Sequence, residues 1–175
     1  MEFIKIILVS ILLSISYGIL HDLVTANLCI EYFTKGHPKV IESESPFLLA
    51  LVWGVLATWW AGLIIGIGLA LLAQIGTRPK IGSKQIIRSL IKLLLVMGLL
   101  ALVAGIIGYI LANTETIYLM PRFADKIIPD RHPYFLAAGW AHAASYMSGF
   151  IGAIILSLLT IRKRGRIKNT SSHES

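Results

Sequence analysis

Apolar residues gather into four stretches, roughly Phe3–Leu20, Phe47–Ile75, Leu90–Ala112 and Tyr134–Ile161, and the segments between them hold most of the charge. A helix needs only ~20 residues to cross ~30 Å of hydrocarbon. The last three stretches exceed that length and contain a single charged residue, Lys92. Period-2 alternation is absent and the runs are rich in Leu, Ile, Ala and Gly. Helices are therefore the way for these segments to satisfy their backbone groups in lipid. The pattern predicts an all-α polytopic membrane protein with four transmembrane helices. A single membrane domain covers 1–161, and a basic tail follows over 162–175. The first stretch has a second reading, because Met1–Glu2–Phe3–Ile4–Lys5 followed by Ile6 to Tyr17 has the outline of a signal peptide, with Ser14–Ile15–Ser16 offering small residues for cleavage. The acid at Glu2 and the apolar Leu23, Val24 and Ala26 beyond His21 favour a retained span.

Charge then orients the helices. Sixteen basic residues stand against nine acidic ones, and ten of the basic ones lie in two segments. One contains Arg78, Lys80, Lys84, Arg88 and Lys92; the other is the run Arg162–Lys163–Arg164–Gly165–Arg166–Ile167–Lys168. Placement beside membrane helices is what the positive-inside rule describes. It directs the positive charge at anionic lipid headgroups, so membrane lipids are the expected partner and nucleic acid is not. The segment His21–Ser45 sets Asp22, Glu31, Glu42 and Glu44 against Lys35 and Lys39, and Asn113–Pro133 is balanced. Alternation puts both termini in the cytoplasm of a multi-pass protein in the cell inner membrane. Cys29 is the single cysteine, which rules out an intramolecular disulfide.

A repeat is visible in the second and fourth stretches. Pro46 to Gly62 lies over Pro133 to Gly149 without a gap, pairing Trp53 with Trp140, Thr58 with Ser145, Trp59 with Tyr146 and Gly62 with Gly149. Every pair is 87 positions apart. Between the first and third stretches, Gly18 pairs with Gly105 at that offset. Two duplicated hairpins would form a parallel repeat about an axis along the membrane normal, unlike the inverted repeats of many transporters. Small residues such as Gly62 and Gly66 mark places where helices can approach closely.

Polar chemistry collects at the end opposite the basic segments. His21 and Asp22 close the first span, Glu31 and His37 follow, and His142 lies nine residues beyond Pro133, ~13 Å into its helix. Ser145 and Tyr146 are i+3 and i+4 from His142 and share its face. At the repeat offset His142 corresponds to Val55, so the imidazole is present in one half only. An ionisable residue inside a span is a functional-site candidate. His21, Asp22, His142 and Tyr146 are the candidates for acid–base catalysis. His21, Asp22, Glu31, His37 and His142 are the candidates for a divalent metal (Zn, Fe or Mn), since imidazole and carboxylate suit those ions. The spacings match no compact zinc motif, and no nucleotide-cofactor motif is present. Adjacent residues on a helix diverge by ~100°, so His21 and Asp22 are expected to serve different partners.

At Tyr17-Gly-Ile-Leu-His-Asp22, Glu31-Tyr-Phe-Thr-Lys-Gly-His-Pro38, Trp53-Gly54 and His142-Ala-Ala-Ser-Tyr146 the chain resembles a small family of uncharacterised bacterial integral membrane proteins. The resemblance implies a shared pattern at His21, Asp22, Glu31, His37 and His142 but no activity or ligand.

Three functions stay open at this point. One is a membrane-embedded enzyme or ligand- or metal-binding protein with an outward-facing site. The second is a transporter or channel component, which with four helices per chain would act as a homodimer or larger oligomer. The third is an accessory subunit bound to another membrane protein. The topology has a direct test. Single cysteines placed at Lys80 and at Lys126, in a chain whose Cys29 is replaced by serine, should label from opposite sides, with the Lys80 position protected in intact cells. Labelling of both from outside would overturn the orientation.

Overall fold

The computed structural model describes residues 1–171, with side chains described to Arg166; the last part of the basic segment, 172–175, lies outside the described residues. Four long helices carry the apolar stretches: α1 (Glu2–Leu28), α3 (Pro46–Gln74), α4 (Ser83–Asn113) and α6 (His132–Ser171). Each is long and apolar enough to cross a membrane. Two single-turn helices, α2 (Glu31–Thr34) and α5 (Pro121–Ala124), and a 3₁₀ turn over Pro129–Arg131 sit in the connections at one end. Leucines, isoleucines and aromatics cover the outside. Leu95 and Phe150 are 69% and 71% exposed, which is intelligible for a surface that faces lipid.

Local chemistry sets the helix ends. The Ser45 side chain accepts from Leu48 N and Pro46 fills the first turn of α3, where a missing N–H costs nothing. Gly76, at φ +90°, and Pro79 turn the chain after α3. The backbone N–H of Ser83 donates to the Glu2 carboxylate at 2.6 Å, so an acid at the start of α1 caps α4 and meets the positive end of its dipole. Three helices outrun their apolar stretches. α1 continues two turns past Leu20 because nothing from His21 to Leu28 breaks a helix, and α4 starts two turns before Leu90. The segment expected as a tail continues α6 to Ser171.

The helices pack as two antiparallel hairpins, α1 with α3 and α4 with α6, and the hairpins meet through α1 with α4 and α3 with α6. At the basic end all four spans share one core of Ile6, Leu69, Ile86, Leu90 and Leu156. At the opposite end Ala26, Phe33, Leu49 and Ala50 join α1, α2 and α3, and Cys29, Leu119, Ile127 and Phe135 join α1 to the loop before α6.

Contacts inside the hairpins repeat at the sequence offset. A Cβ on Gly18 would lie 2.6 Å from the Gly54 carbonyl, and one on Gly105 would lie 3.4 Å from Ala141 Cβ. A Cβ on Gly62 would lie 2.8 Å from the Ser10 carbonyl, and one on Gly149 would lie 3.0 Å from Met97 Cε. Gly105, Ala141, Met97 and Gly149 are each 87 positions beyond Gly18, Gly54, Ser10 and Gly62. The helices of the first hairpin therefore meet at the same positions as those of the second, and α1 and α4 themselves share Lys5 with Lys92, Val9 with Val96 and Ile19 with Ile106 at that offset, beside Gly18 with Gly105.

The close approach of α1 and α3 should be measurable. A Cβ at Gly54 would lie 2.5 Å from the Ile19 backbone nitrogen, whereas one at Gly68 meets nothing within 4 Å. Gly54→Ala should therefore destabilise the protein by about 1–3 kcal/mol. Gly68→Ala should be neutral or stabilising by up to about 1 kcal/mol. Reversible unfolding in mixed detergent micelles compares the two; equal effects would remove the special role of the contact.

Candidate functional site

The side-chain hydrogen bonds between α1 and α6 lie toward the end away from the basic segments, where the polar residues of both spans meet. On α1, Tyr17 and His21 are one turn apart and Asp22 follows; on α6, His142, Ser145 and Tyr146 occupy one face. His142 is 6% exposed and Asp22 is 5% exposed. His142 Nε2 lies 3.1 Å from Asp22 Oδ1, and His142 Nδ1 lies 2.9 Å from the Ala138 carbonyl and 3.3 Å from His21 Nε2. His21 and Asp22, expected to serve different partners, bracket one imidazole. Their ~100° divergence matches the opposed directions of the two ring nitrogens.

Hydrogen-bond chemistry restricts the protons. A carbonyl only accepts, so the Nδ1 that meets Ala138 must carry hydrogen. One further proton then lies between His142 Nε2 and the Asp22 carboxyl. His21 Nε2, beside an N–H, presents its lone pair.

Aromatic rings enclose the cluster. The Tyr32 ring lies 4.4 Å from the His142 ring at 31°, the His21 ring meets His142 edge-on at 4.4 Å, and Tyr17 stacks on His21 at 5.8 Å. The Tyr17 hydroxyl shares a 2.8 Å hydrogen bond with Ser145 Oγ, the second polar link between α1 and α6. The Tyr146 ring is 6.1 Å from His142 and Tyr146 is 57% exposed. The Tyr32 phenol is raised above its ordinary value by burial first, then by Tyr146 and Asp22, so it stays a neutral donor.

Glu31 and His37 flank the cluster without supplying atoms to it. Arg131 donates to both oxygens of Glu31 at 3.2 Å through Nε and Nη2, and Nη2 also donates to the Leu28 carbonyl at 2.9 Å. Cys29 Sγ donates to Glu31 Oε2 at 3.3 Å. Together they tie the end of α1, the start of α2 and the turn before α6. The Cys29 thiol is pushed up to about 12 by burial and by the neighbouring Glu31, so it is an inert thiol at neutral pH. His37 Nδ1 donates to the Tyr32 carbonyl at 2.8 Å and its ring packs on Trp53 at 4.8 Å. His37 thereby holds the turn that carries Tyr32. His132 Nε2 donates to the Ile127 carbonyl at 2.8 Å and likewise serves the loop.

His21, Asp22 and His142 can each offer one ligand atom, and those atoms lie within 4.8 Å of one another. Donors on one ion at ~2.1 Å stand about 3.0–3.4 Å apart. The 3.1 Å pair of His142 and Asp22 meets this already, and the His21 ring needs to close on it. Two imidazoles and one carboxylate leave further coordination positions open. The candidates named from the sequence omit two members of the enclosure, Tyr17 and Tyr32. Tyr17 stands four residues before His21 and could have been found by helical phase, whereas Tyr32 arrives by a fold of the connection.

The Glu31–Arg131 pair gives the protein an acid-sensitive joint. Burial, the largest single influence, raises the Glu31 carboxyl, but the hydrogen bonds from Arg131, its own backbone N–H and Cys29, with the Arg131 charge, together outweigh this and leave it below the ordinary value. A depressed carboxyl stabilises the fold above its unfolded value, and that stabilisation is lost as pH falls through the folded one. Stability of the native chain should thus drop in the acid range below the ordinary glutamate value, and Glu31→Gln should flatten that part of the curve. Unfolding midpoints across acidic pH test it; identical curves would discount the joint.

No protein-family model, curated protein or solved structure matches the chain, so its chemistry has to be read from its own side chains.

Proposed function

We propose that the chain is a membrane-embedded metal-binding protein in which His21, Asp22 and His142 hold one divalent transition-metal ion. The observation that carries the reading is that one donor atom from each of these residues, two of them nearly fully buried, lies within 4.8 Å of the other two between α1 and α6. A single buried histidine bonded to a serine would serve packing. Two imidazoles and a carboxylate around one point exceed that need, and their softness suits Zn, Fe or Mn. A metal would take the place of the proton between Asp22 and His142 Nε2, and the His21 ring would have to turn from the Nδ1 side of His142 to give it a third donor. The positive-inside distribution puts this end of the bundle on the outer side of the membrane.

The rings of Tyr32 and Tyr146 stand 4.4 and 6.1 Å from that of His142, and their phenols could donate to an oxygen-containing ligand held there. A bound ion would supply Lewis-acid chemistry to such a ligand. A second reading has its own observation: no deeply buried side-chain nitrogen or oxygen lacks a partner among the described residues. A metal-free polar lock between α1 and α6 is therefore also a complete structure.

Elemental analysis of protein purified from native membranes separates the two. The metal site predicts about one transition-metal ion per chain, loss of that ion in His142→Ala, and its retention in Lys35→Ser. Restoring metal to the stripped protein at a hundredfold excess over Kd should stabilise it by about 2.7 kcal/mol. Metal at background in the native protein, with no stabilisation on addition, would leave the polar lock.

A further inference from the structure

At the other end of the bundle stands a buried charge with no acid beside it among the described residues. Arg164 is 5% exposed and lies near the end of α6. Its Nε donates to the Pro79 carbonyl at 2.8 Å, Nη1 donates to the Leu72 carbonyl and, at 2.8 Å, to that of Ile75, and Nη2 donates to the Arg78 carbonyl at 2.7 Å. A guanidinium has five N–H donors. Four are spent on the last turn of α3 and the chain beyond it, and one on Nη2 is left. The carbonyls supply partial negative charge, as a helix C-terminus does, but no carboxylate meets Arg164 among the described residues. Among the described residues the one acid at this end, Glu2, is already engaged by Ser83 N and Lys5.

The guanidinium forms part of the wall of a cleft of about 300 Å³ between α3 and α6. Leu71, Leu72, Ile75 and Ile161 give it apolar sides, and Arg78 joins Arg164 at its polar part. The volume is at the small end for a ligand site, enough for a phosphate and the first methylenes of a chain and too small for a whole lipid. Leu71 and Ile75 are 43% and 58% exposed, so the apolar side is continuous with the lipid-facing surface. An occupant must then be anionic at one end and aliphatic at the other.

We propose that this cleft is a specific site for an anionic phospholipid. The phosphate lies against Arg78 and the remaining Nη2 donor of Arg164, and an acyl chain runs out along Leu71, Ile75 and Ile161. The site differs from the general attraction of basic loops to a charged surface, because it combines a fixed, buried guanidinium with a shaped apolar wall. Its occupant would brace the junction of α3 and α6, where Arg164 already ties the two hairpins.

The full-length chain in neutral detergent is titrated with dioleoyl phosphatidylglycerol or dioleoyl phosphatidylcholine, with bound lipid read by native mass spectrometry and stability by thermal unfolding. Phosphatidylglycerol should bind in preference and raise the midpoint. Arg78→Gln should weaken it about fivefold, the effect of one basic residue at an anionic headgroup. Lys84→Gln removes the same charge nearby but outside the cleft and should leave binding unchanged. Arg164→Lys keeps the charge and loses the fork, so it should lose selectivity; if it fails to fold, the Arg78 and Lys84 variants decide. Equal binding of the two lipids, equal weakening by Arg78→Gln and Lys84→Gln, or a midpoint raised as far by inorganic phosphate alone would each overturn the proposal.

Discussion

A polar group inside a lipid-embedded bundle has to find its partners within the protein, and His142 imposes this requirement most strongly here. Leaving such a group without a hydrogen bond costs roughly 2–7 kcal/mol on transfer scales. Interhelical hydrogen bonds in membranes return only ~0.6–2 kcal/mol each. The asymmetry makes the partners obligatory without making them a large source of stability. α1 must therefore reach α6 at one depth, with Asp22 on one side of the ring and His21 on the other. The Gly18–Gly54 approach fixes α1 against its hairpin partner, and the Tyr17–Ser145 hydrogen bond adds a second tie one turn away.

The two arginines that are most deeply engaged work at opposite ends by the same means. Arg131 joins a carboxylate and the carbonyl that ends α1, and Arg164 gathers carbonyls at and beyond the end of α3. Terminal carbonyls lack intrahelical partners, and a planar fork with several donors satisfies more than one at once. Each arginine thus converts a helix end into a joint between hairpins. A lysine would keep the charge at either place but not the geometry.

Hydropathy makes the four spans legible, and backbone satisfaction in lipid makes them helices. The helix ends are less legible, because His21, Asp22 and the basic residues of α4 and α6 end an apolar run without ending a helix. The site was legible by phase on each helix: His142, Ser145 and Tyr146 share a face, and His21 and Asp22 stand at the same depth on α1. No spacing rule says which of five acidic and imidazole side chains converge. Glu31 is claimed by Arg131, a hundred residues away, and His37 by the carbonyl of Tyr32. Those choices follow from how the short connections fold over the bundle. Arg164 reads in sequence as one cation in a basic run, and its burial depends on the turn at Gly76 that exposes carbonyls to it.

The repeated hairpin has a consequence for how the protein can respond to a ligand. Moved by 87 positions, His21 and Asp22 fall on Gly108 and Tyr109, while Val55 holds the place that His142 fills in the second half. In the second hairpin the indole of Trp140 covers Gly108, within 2.8 Å of where its Cβ would stand. The repeat gives two frames, and among the described residues a single His21–Asp22–His142 cluster. A single ion at that cluster, as proposed, would fill each chain all or none with a non-cooperative titration, and any sigmoidal response would have to arise between separate copies in the membrane.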